Sequence, residues 1–326
     1  MPTRAEPPPL LSRRLVLVTG KGGTGKTTLA AALAQAAVAQ GKRVLVAELG
    51  RDAALPRLLE RTPRPLGYPE RQIAPGLFAI HIDPFEALAE YIGLEIGLPG
   101  LVRRVLANRG FRQLMEAAPG WRDLIALGKV WHLEQMREAG APRFDLLVVD
   151  APATGHGVTF LDVPRVVMSA VRAGPLRHHT EQVEALLLDP RRTLVLPVAL
   201  AEELPTRETI SLVERVRQLG LPIDRLVVNG LRPRPAPEEV GDLAAWLERV
   251  PDDLALGALP RPSRMAACVR ALEARHALCQ RYTRELLERT GLPIVALPYL
   301  VEGIRGEADV AVLARHVLAS PIEAWR

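Results

Sequence analysis

Cysteine, lysine and aromatic residues are all scarce in this sequence, and each scarcity excludes something. The 326 residues include two cysteines, Cys268 and Cys279. Two thiols cannot build a disulfide framework, and they suit a reducing compartment. Aromatic residues make up 4% of the chain, which leaves few platforms on which single-stranded nucleic acid could stack. No apolar run approaches the roughly 18 residues of a membrane span. The proline-rich start, residues 1–13, lacks the apolar stretch of a signal peptide and reads as a loose arm. A cytoplasmic protein is expected, meeting the membrane only through a partner. Only four of the 42 basic residues are lysines, at positions 21, 26, 42 and 129. The arginines are interspersed with acids, so the net charge of +5 describes a mixed, solvated surface. No nucleic-acid partner is expected.

What is present is ordinary globular composition, 48% hydrophobic and 24% charged, arranged in alternation. Short apolar runs at Leu15–Thr19, Arg43–Glu48, Leu77–Ile82, Leu146–Asp150, Thr193–Val198, Leu226–Asn229, Leu256–Leu259 and Ile294–Leu297 predict strands. They are apolar on both faces, as buried parallel strands are. Helices are predicted at Thr27–Gln40, Arg207–Leu219, Glu238–Val250, Ser263–Arg289 and Glu307–Leu318. This order implies an α/β fold, a doubly wound and mostly parallel sheet. Two stretches, about 84–140 and 162–190, are helical without strands and are expected to form a helical subdomain inserted in one domain spanning residues 14–326.

Two of the four lysines lie in one loop. Gly20-Lys21-Gly22-Gly23-Thr24-Gly25-Lys26-Thr27 fits the phosphate-loop pattern and sits between a predicted strand and a predicted helix. Its glycines let backbone N–H groups curl around phosphate oxygens. The helix N-terminus adds partial positive charge. Lys26 is expected to reach the β- and γ-phosphates, and the Thr27 hydroxyl to ligate Mg²⁺. Asp150 ends an apolar strand and is the second candidate for holding Mg²⁺, through water.

The loop with its early second lysine, continuing through Thr28, resembles the variant phosphate loop of ATPases that include the chromosome-partition, septum-site and nitrogenase-iron-protein families. That resemblance implies that Lys21 crosses a dimer interface to the partner's nucleotide. Asp150-Ala151-Pro152-Ala153-Thr154-Gly155-His156 narrows the match. It is similar to switch II of the arsenite-pump ATPase subunit and of the ATPase that guides tail-anchored proteins to membranes. Thr154, Gly155 and His156 are then the γ-phosphate-sensing switch. Leu226-Val227-Val228-Asn229 resembles the strand whose asparagine reads adenine. Leu297-Pro298-Tyr299 with Gly303-Ile304-Arg305-Gly306 resembles the loop that packs on the base. No N-K-x-D guanine motif is visible, so ATP is favoured.

The chain also departs from that family. Switch I there reads roughly S-T-D-P-A-H; here the stretch is Val46-Ala47-Glu48-Leu49-Gly50-Arg51-Asp52. Glu48 stands where the water-orienting aspartate is expected, with Asp52 as the rival. Cys268 and Cys279 are eleven residues apart on one predicted helix, hence about 16 Å apart along its axis. They cannot share one ion, and both are expected to be small core residues. His178-His179 is expected to be a helix-surface pair. Two apolar sets, Phe85 to Leu98 and Leu124 to Leu133, fit either helix-on-sheet packing or a groove for a hydrophobic client.

The implied function is a Mg²⁺-dependent ATPase that works as a dimeric conformational switch. The partner is a second copy across the nucleotide face, or a sister ATPase in a heterodimer. Two roles remain open: a targeting chaperone for hydrophobic membrane-protein segments, or a regulatory or energising subunit of a membrane complex.

Overall fold

In the computed structural model, residues 9–49, 54–96, 108–110, 113, 120–152, 159–236, 241–254 and 259–319 are described. Ten strands are found among them: β1 (Leu15–Thr19), β2 (Val44–Glu48), β3 (Arg71–Ala74), β4 (Leu77–His81), β5 (Arg137–Glu138), β6 (Ala141–Pro142), β7 (Leu146–Asp150), β8 (Thr193–Leu200), β9 (Leu226–Leu231) and β10 (Ile294–Pro298). The helices are α1 (Lys26–Ala39), α2 (Leu55–Leu59), α3 (Pro84–Ile96), α4 (Trp121–Gln135), α5 (Thr159–Ala170), α6 (Pro175–Leu188), α7 (Glu203–Gln218), α8 (Leu243–Glu248), α9 (Pro262–Thr290) and α10 (Glu307–Val317).

Eight strands form one sheet in the order β10-β9-β8-β1-β7-β2-β4-β3. All pairings are parallel except β3 with β4. The doubly wound sheet expected from the alternation is therefore present. Side-chain alternation sends each strand into two cores. Val16, Val18, Val44, Val46 and Val148 meet α1, α2 and α10 on one face. Leu15, Leu17, Leu45, Leu147 and Val149 meet α4, α5 and α6 on the other. Near the β8–β10 edge, α7 and α9 cover that second face. The alanine-rich α1 is buried on most sides, which lets it lie close against the sheet. β1 is thus central, and the carboxyl ends of β1, β2, β7, β8 and β9 open onto a shared edge. In open α/β sheets, ligands bind in the crevice at this edge.

The helical stretches share the sheet's core. Leu127, Val130 and Leu133 of α4, and Val183, Leu186 and Leu187 of α6, are buried against it. At the opposite, amino end of the strands, buried Glu134 accepts from Arg14 at 2.6 Å and also from Arg192. This pairing ties α4 to β1 and to the chain entering β8, and it satisfies a carboxylate that would be costly to bury alone.

Several boundaries differ from the periodicity. The antiparallel edge strand β3, the β5–β6 hairpin and the short α2 carry no clear pattern and are seen only in the structure. Of the helix expected from Glu238, residues 238–240 lie outside the described residues; α8 starts at Leu243, where Asp242 caps it by accepting from the Ala245 N–H at 2.7 Å. The strand expected at Leu256–Leu259 falls mostly outside the described residues. Of the two cysteines, Cys279 is half-buried and packs against the core under α7 and α9, whereas Cys268 is exposed. The reason is that α9 buries mainly its two ends, at Pro262, Ala266, Thr283, Leu286 and Thr290. His178 is exposed as expected, whereas His179 turns inward with Nδ1 3.1 Å from the Tyr91 hydroxyl. Among the described residues, no helix is long and apolar enough to cross a membrane.

Candidate active site

The phosphate loop joins β1 to α1 and is shaped by glycine. Gly20, Gly23 and Gly25 have φ of 144°, 83° and 91°, a region that residues with a Cβ rarely adopt. Space is limiting as well at two of them. A Cβ on Gly20 would stand 2.5 Å from the Val198 carbonyl oxygen, and one on Gly25 would stand 2.1 Å from Nδ2 of Asn229. Gly22 and Gly23 are exposed at the crest. Thr24 is buried, and its hydroxyl donates to the Lys21 carbonyl at 2.9 Å. Lys26 opens α1, folds back over the loop and donates from Nζ to the same carbonyl at 3.1 Å. Burial lowers the pKa of the Lys26 ammonium, and the Asp150 carboxylate partly opposes that shift. Thr28 follows, half-buried, in the first turn.

β7 delivers Asp150 to the other side of the loop. Register places it beside Val18 of β1 and beside Glu48 of β2. The Thr27 hydroxyl donates to Oδ2 of Asp150 at 2.5 Å. Oδ1 is buried and has no hydrogen-bond partner among the described residues. Burial pushes the Asp150 carboxyl up to about 6, against the pull of the Thr27 hydroxyl and the Lys26 ammonium. A hydroxyl and a carboxylate with a spare buried lone pair form the hard oxygen donor set that suits Mg²⁺. The residues therefore fit the ion.

Glu48 is buried at the carboxyl end of β2. Its Oε1 accepts from the backbone N–H of Ala54 at 2.8 Å and of Leu55 at 3.4 Å, so the carboxylate caps the first turn of α2. Its rival Asp52 lies outside the described residues, as do the switch residues Thr154, Gly155 and His156. Lys21 leaves the loop sideways and pairs with Glu208 of α7, Nζ to Oε1 at 2.6 Å. Both side chains are partly exposed, so this contact is worth at most about 1 kcal/mol.

Asn229 reaches the loop from the end of β9, where its Nδ2 donates to the Thr24 carbonyl at 3.0 Å. A cleft of about 510 Å³ opens beside it, lined by Leu200, Asn229, Arg232, Arg275, Tyr282 and Tyr299 among others. The Arg232 guanidinium lies 3.7 Å from the centre of the Tyr299 ring. Pro298, next to Tyr299, falls where the β9–β10 register shifts; it has no N–H to give the ladder. The structure thus gathers the loop, Asp150, Glu48 and Asn229 at one edge. Arg232 and Glu208 were not legible beforehand, because neither belongs to a local pattern.

Comparison with known proteins agrees with this geometry. The anion-transporting ATPase family matches residues 13–178. ATPase BagA of Mycobacterium tuberculosis is 37% identical over 243 residues, covering 72% of this chain and 69% of that protein. The arsenical pump-driving ATPase of Acidiphilium multivorum is 30% identical over 258 residues, 73% of this chain and 42% of that one. ATPase GET3 of Rhodotorula glutinis is 25% identical over 256 residues, 68% of this chain and 70% of that one. The chain belongs to the anion-transporting ATPase family and is an ATP hydrolase.

Proposed function

We propose that this ATPase is Mg²⁺-dependent and acts as a dimeric switch driven by its nucleotide. The observation that carries the reading is the joining of Thr27 to Asp150 at the mouth of the phosphate loop, with one Asp150 oxygen buried and without a partner among the described residues. Thr27 and Asp150 would hold the ion, which when bound supplies positive charge to the phosphate oxygens. The loop N–H groups and Lys26 bind the β- and γ-phosphates and hold them in line for attack. Asn229 and the cleft lined by Tyr299 and Arg232 receive the base, with ATP favoured over GTP. Hydrolysis measured with and without Mg²⁺, and in competition with ADP and GDP, tests these assignments.

Glu48 orients the attacking water in this reading. Its position beside Asp150 supports the role, and its bonds to Ala54 and Leu55 hold the carboxylate still. Glu48→Gln keeps a carbonyl oxygen to accept those bonds but removes the basic oxygen. Hydrolysis is expected to fall about 100-fold with ATP affinity within about twofold of wild type, as read by calorimetry and a phosphate-release assay. Undiminished turnover would return the role to Asp52 or to another group.

Lys21 acts across the dimer, neutralising charge on the partner's transferred phosphoryl group. Its sideways exit from the loop, exposed enough to exchange Glu208 for another partner, supports this. Lys21→Ala is expected to lower hydrolysis by about 10³-fold, as removal of a finger residue does. Mixing it with Lys26→Ala should restore part of the activity, because each mixed dimer then holds one complete site. Full activity of Lys21→Ala alone, or no recovery in the mixture, would overturn the trans assignment.

The switch passes its motion to the helices covering the second face of the sheet. Burial of Leu88, Leu124, Leu127, Val130 and Leu133 supports a packing role for those positions. A small pocket beside them, lined among others by Leu124, Ile125 and Trp131, keeps a chaperone for hydrophobic segments as the second reading, next to a subunit energising a membrane complex alone or with a sister ATPase.

A further inference from the structure

The Asn229 amide is joined to the phosphate loop itself. Nδ2 donates to the Thr24 carbonyl at 3.0 Å. The fit is close: a Cβ at position 25 would come within 2.1 Å of the same nitrogen, so a side chain there would push the amide away. The start of the loop also abuts the Val198 carbonyl of β8, 2.5 Å from where a Cβ on Gly20 would stand. The loop is therefore packed against β8 and tied to Asn229 of β9, the next strand out. A path of hydrogen bonds continues inward. The Thr24 hydroxyl donates to the Lys21 carbonyl at 2.9 Å, and Lys26 Nζ donates to that carbonyl at 3.1 Å. One side chain on β9 thus braces the turn on which the phosphate-binding ammonium rests.

A primary amide has two N–H donors and one carbonyl acceptor. With one N–H spent on Thr24, the second N–H and Oδ1 remain for a purine edge in the adjoining cleft. We propose that Asn229 is a positioning residue for the phosphate loop, and that the base site and the triphosphate site are coupled through its single amide. This rests on the nucleotide-site reading above and extends it. A ligand with phosphates and no base still depends on Asn229.

Inorganic tripolyphosphate with Mg²⁺ is the probe, titrated by calorimetry into the full chain beside ATP. Asn229→Ala and Asn229→Leu both remove the donor without adding charge, and leucine also fills most of the vacated volume. Each is expected to weaken tripolyphosphate binding about five- to twentyfold, as loss of one partly buried hydrogen bond does, and ATP binding by more. Thermal midpoints recorded alongside separate a general loosening of β9, which would leave the affinity of the folded protein for tripolyphosphate unmoved. Unchanged tripolyphosphate affinity in the folded variants would overturn the brace, even with ATP weakened, and leave Asn229 as a base contact alone. Lys26→Ala is the control on the underlying reading. Loss of both ligands there upholds the site, and retention of both would overturn the nucleotide assignment and the brace with it.

Discussion

Lys26→Ala is expected to lower ATP hydrolysis by at least about 10²- to 10³-fold, the scale seen when one preorganised charge or donor is removed from a transition state. Lys26 is buried, and its ammonium is already partly desolvated, which lowers its pKa. A charge held in such a place needs no reorganisation when the phosphates arrive, so its loss falls fully on binding and on the transition state. Arginine should not rescue it, because a planar fork cannot occupy the path of a compact ammonium folded over the loop. The fold should survive: Thr24 still closes onto the Lys21 carbonyl and Asn229 still holds Thr24. Steady-state hydrolysis and a melting curve on one preparation make the test. A loss under tenfold in a well-folded protein would show that the loop does not carry the chemistry.

Asp150→Asn is expected to abolish Mg²⁺-stimulated hydrolysis and to change how stability depends on pH. Burial pushes the folded carboxyl up to about 6, from the ordinary aspartate value of 3.8. The folded protein therefore keeps a proton that the unfolded chain has released between these values. By linkage, wild-type stability falls as pH rises through that window and stays lower above it. The shift corresponds to about 2–3 kcal/mol. Asparagine does not titrate there, and its carbonyl oxygen can still accept from Thr27. Metal-free denaturation curves at pH 4 and pH 8 should show the variant gaining about 2–3 kcal/mol on wild type between the two. Other titrating groups cancel because both proteins share them. The comparison also cancels any cost of placing an amide nitrogen where Oδ1 stood. An unchanged difference at the two pH values would show that the carboxylate is not penalised by burial.

Lys26 and Thr27 are legible because glycines at 20, 22, 23 and 25 and a lysine at 26 form a contiguous pattern, and the backbone angles of Gly20, Gly23 and Gly25 bear out why glycine stands there. Asp150 is legible because an apolar strand ends on an acid. The parallel sheet is legible for a related reason, since strands buried on both faces stay apolar throughout. Strand β3 is not legible, because an edge strand with one half-covered face has no such run. The exposure of Cys268 is not legible because a long helix suggests a core, and nothing local says that this part of α9 lies clear of the sheet.

Local order along the chain determined the chemistry available to this protein: a loop for phosphates, a hydroxyl and a carboxylate for a divalent ion, and strands that stack side by side. Tertiary structure alone decided the pairings. It set Glu48 against the start of α2, Lys21 against Glu208, and Asn229 against Thr24, a residue 205 positions away. A contact of that span leaves no periodicity in the sequence. It depends on β9 being separated from β1 by a single strand, so that their carboxyl ends meet at one edge.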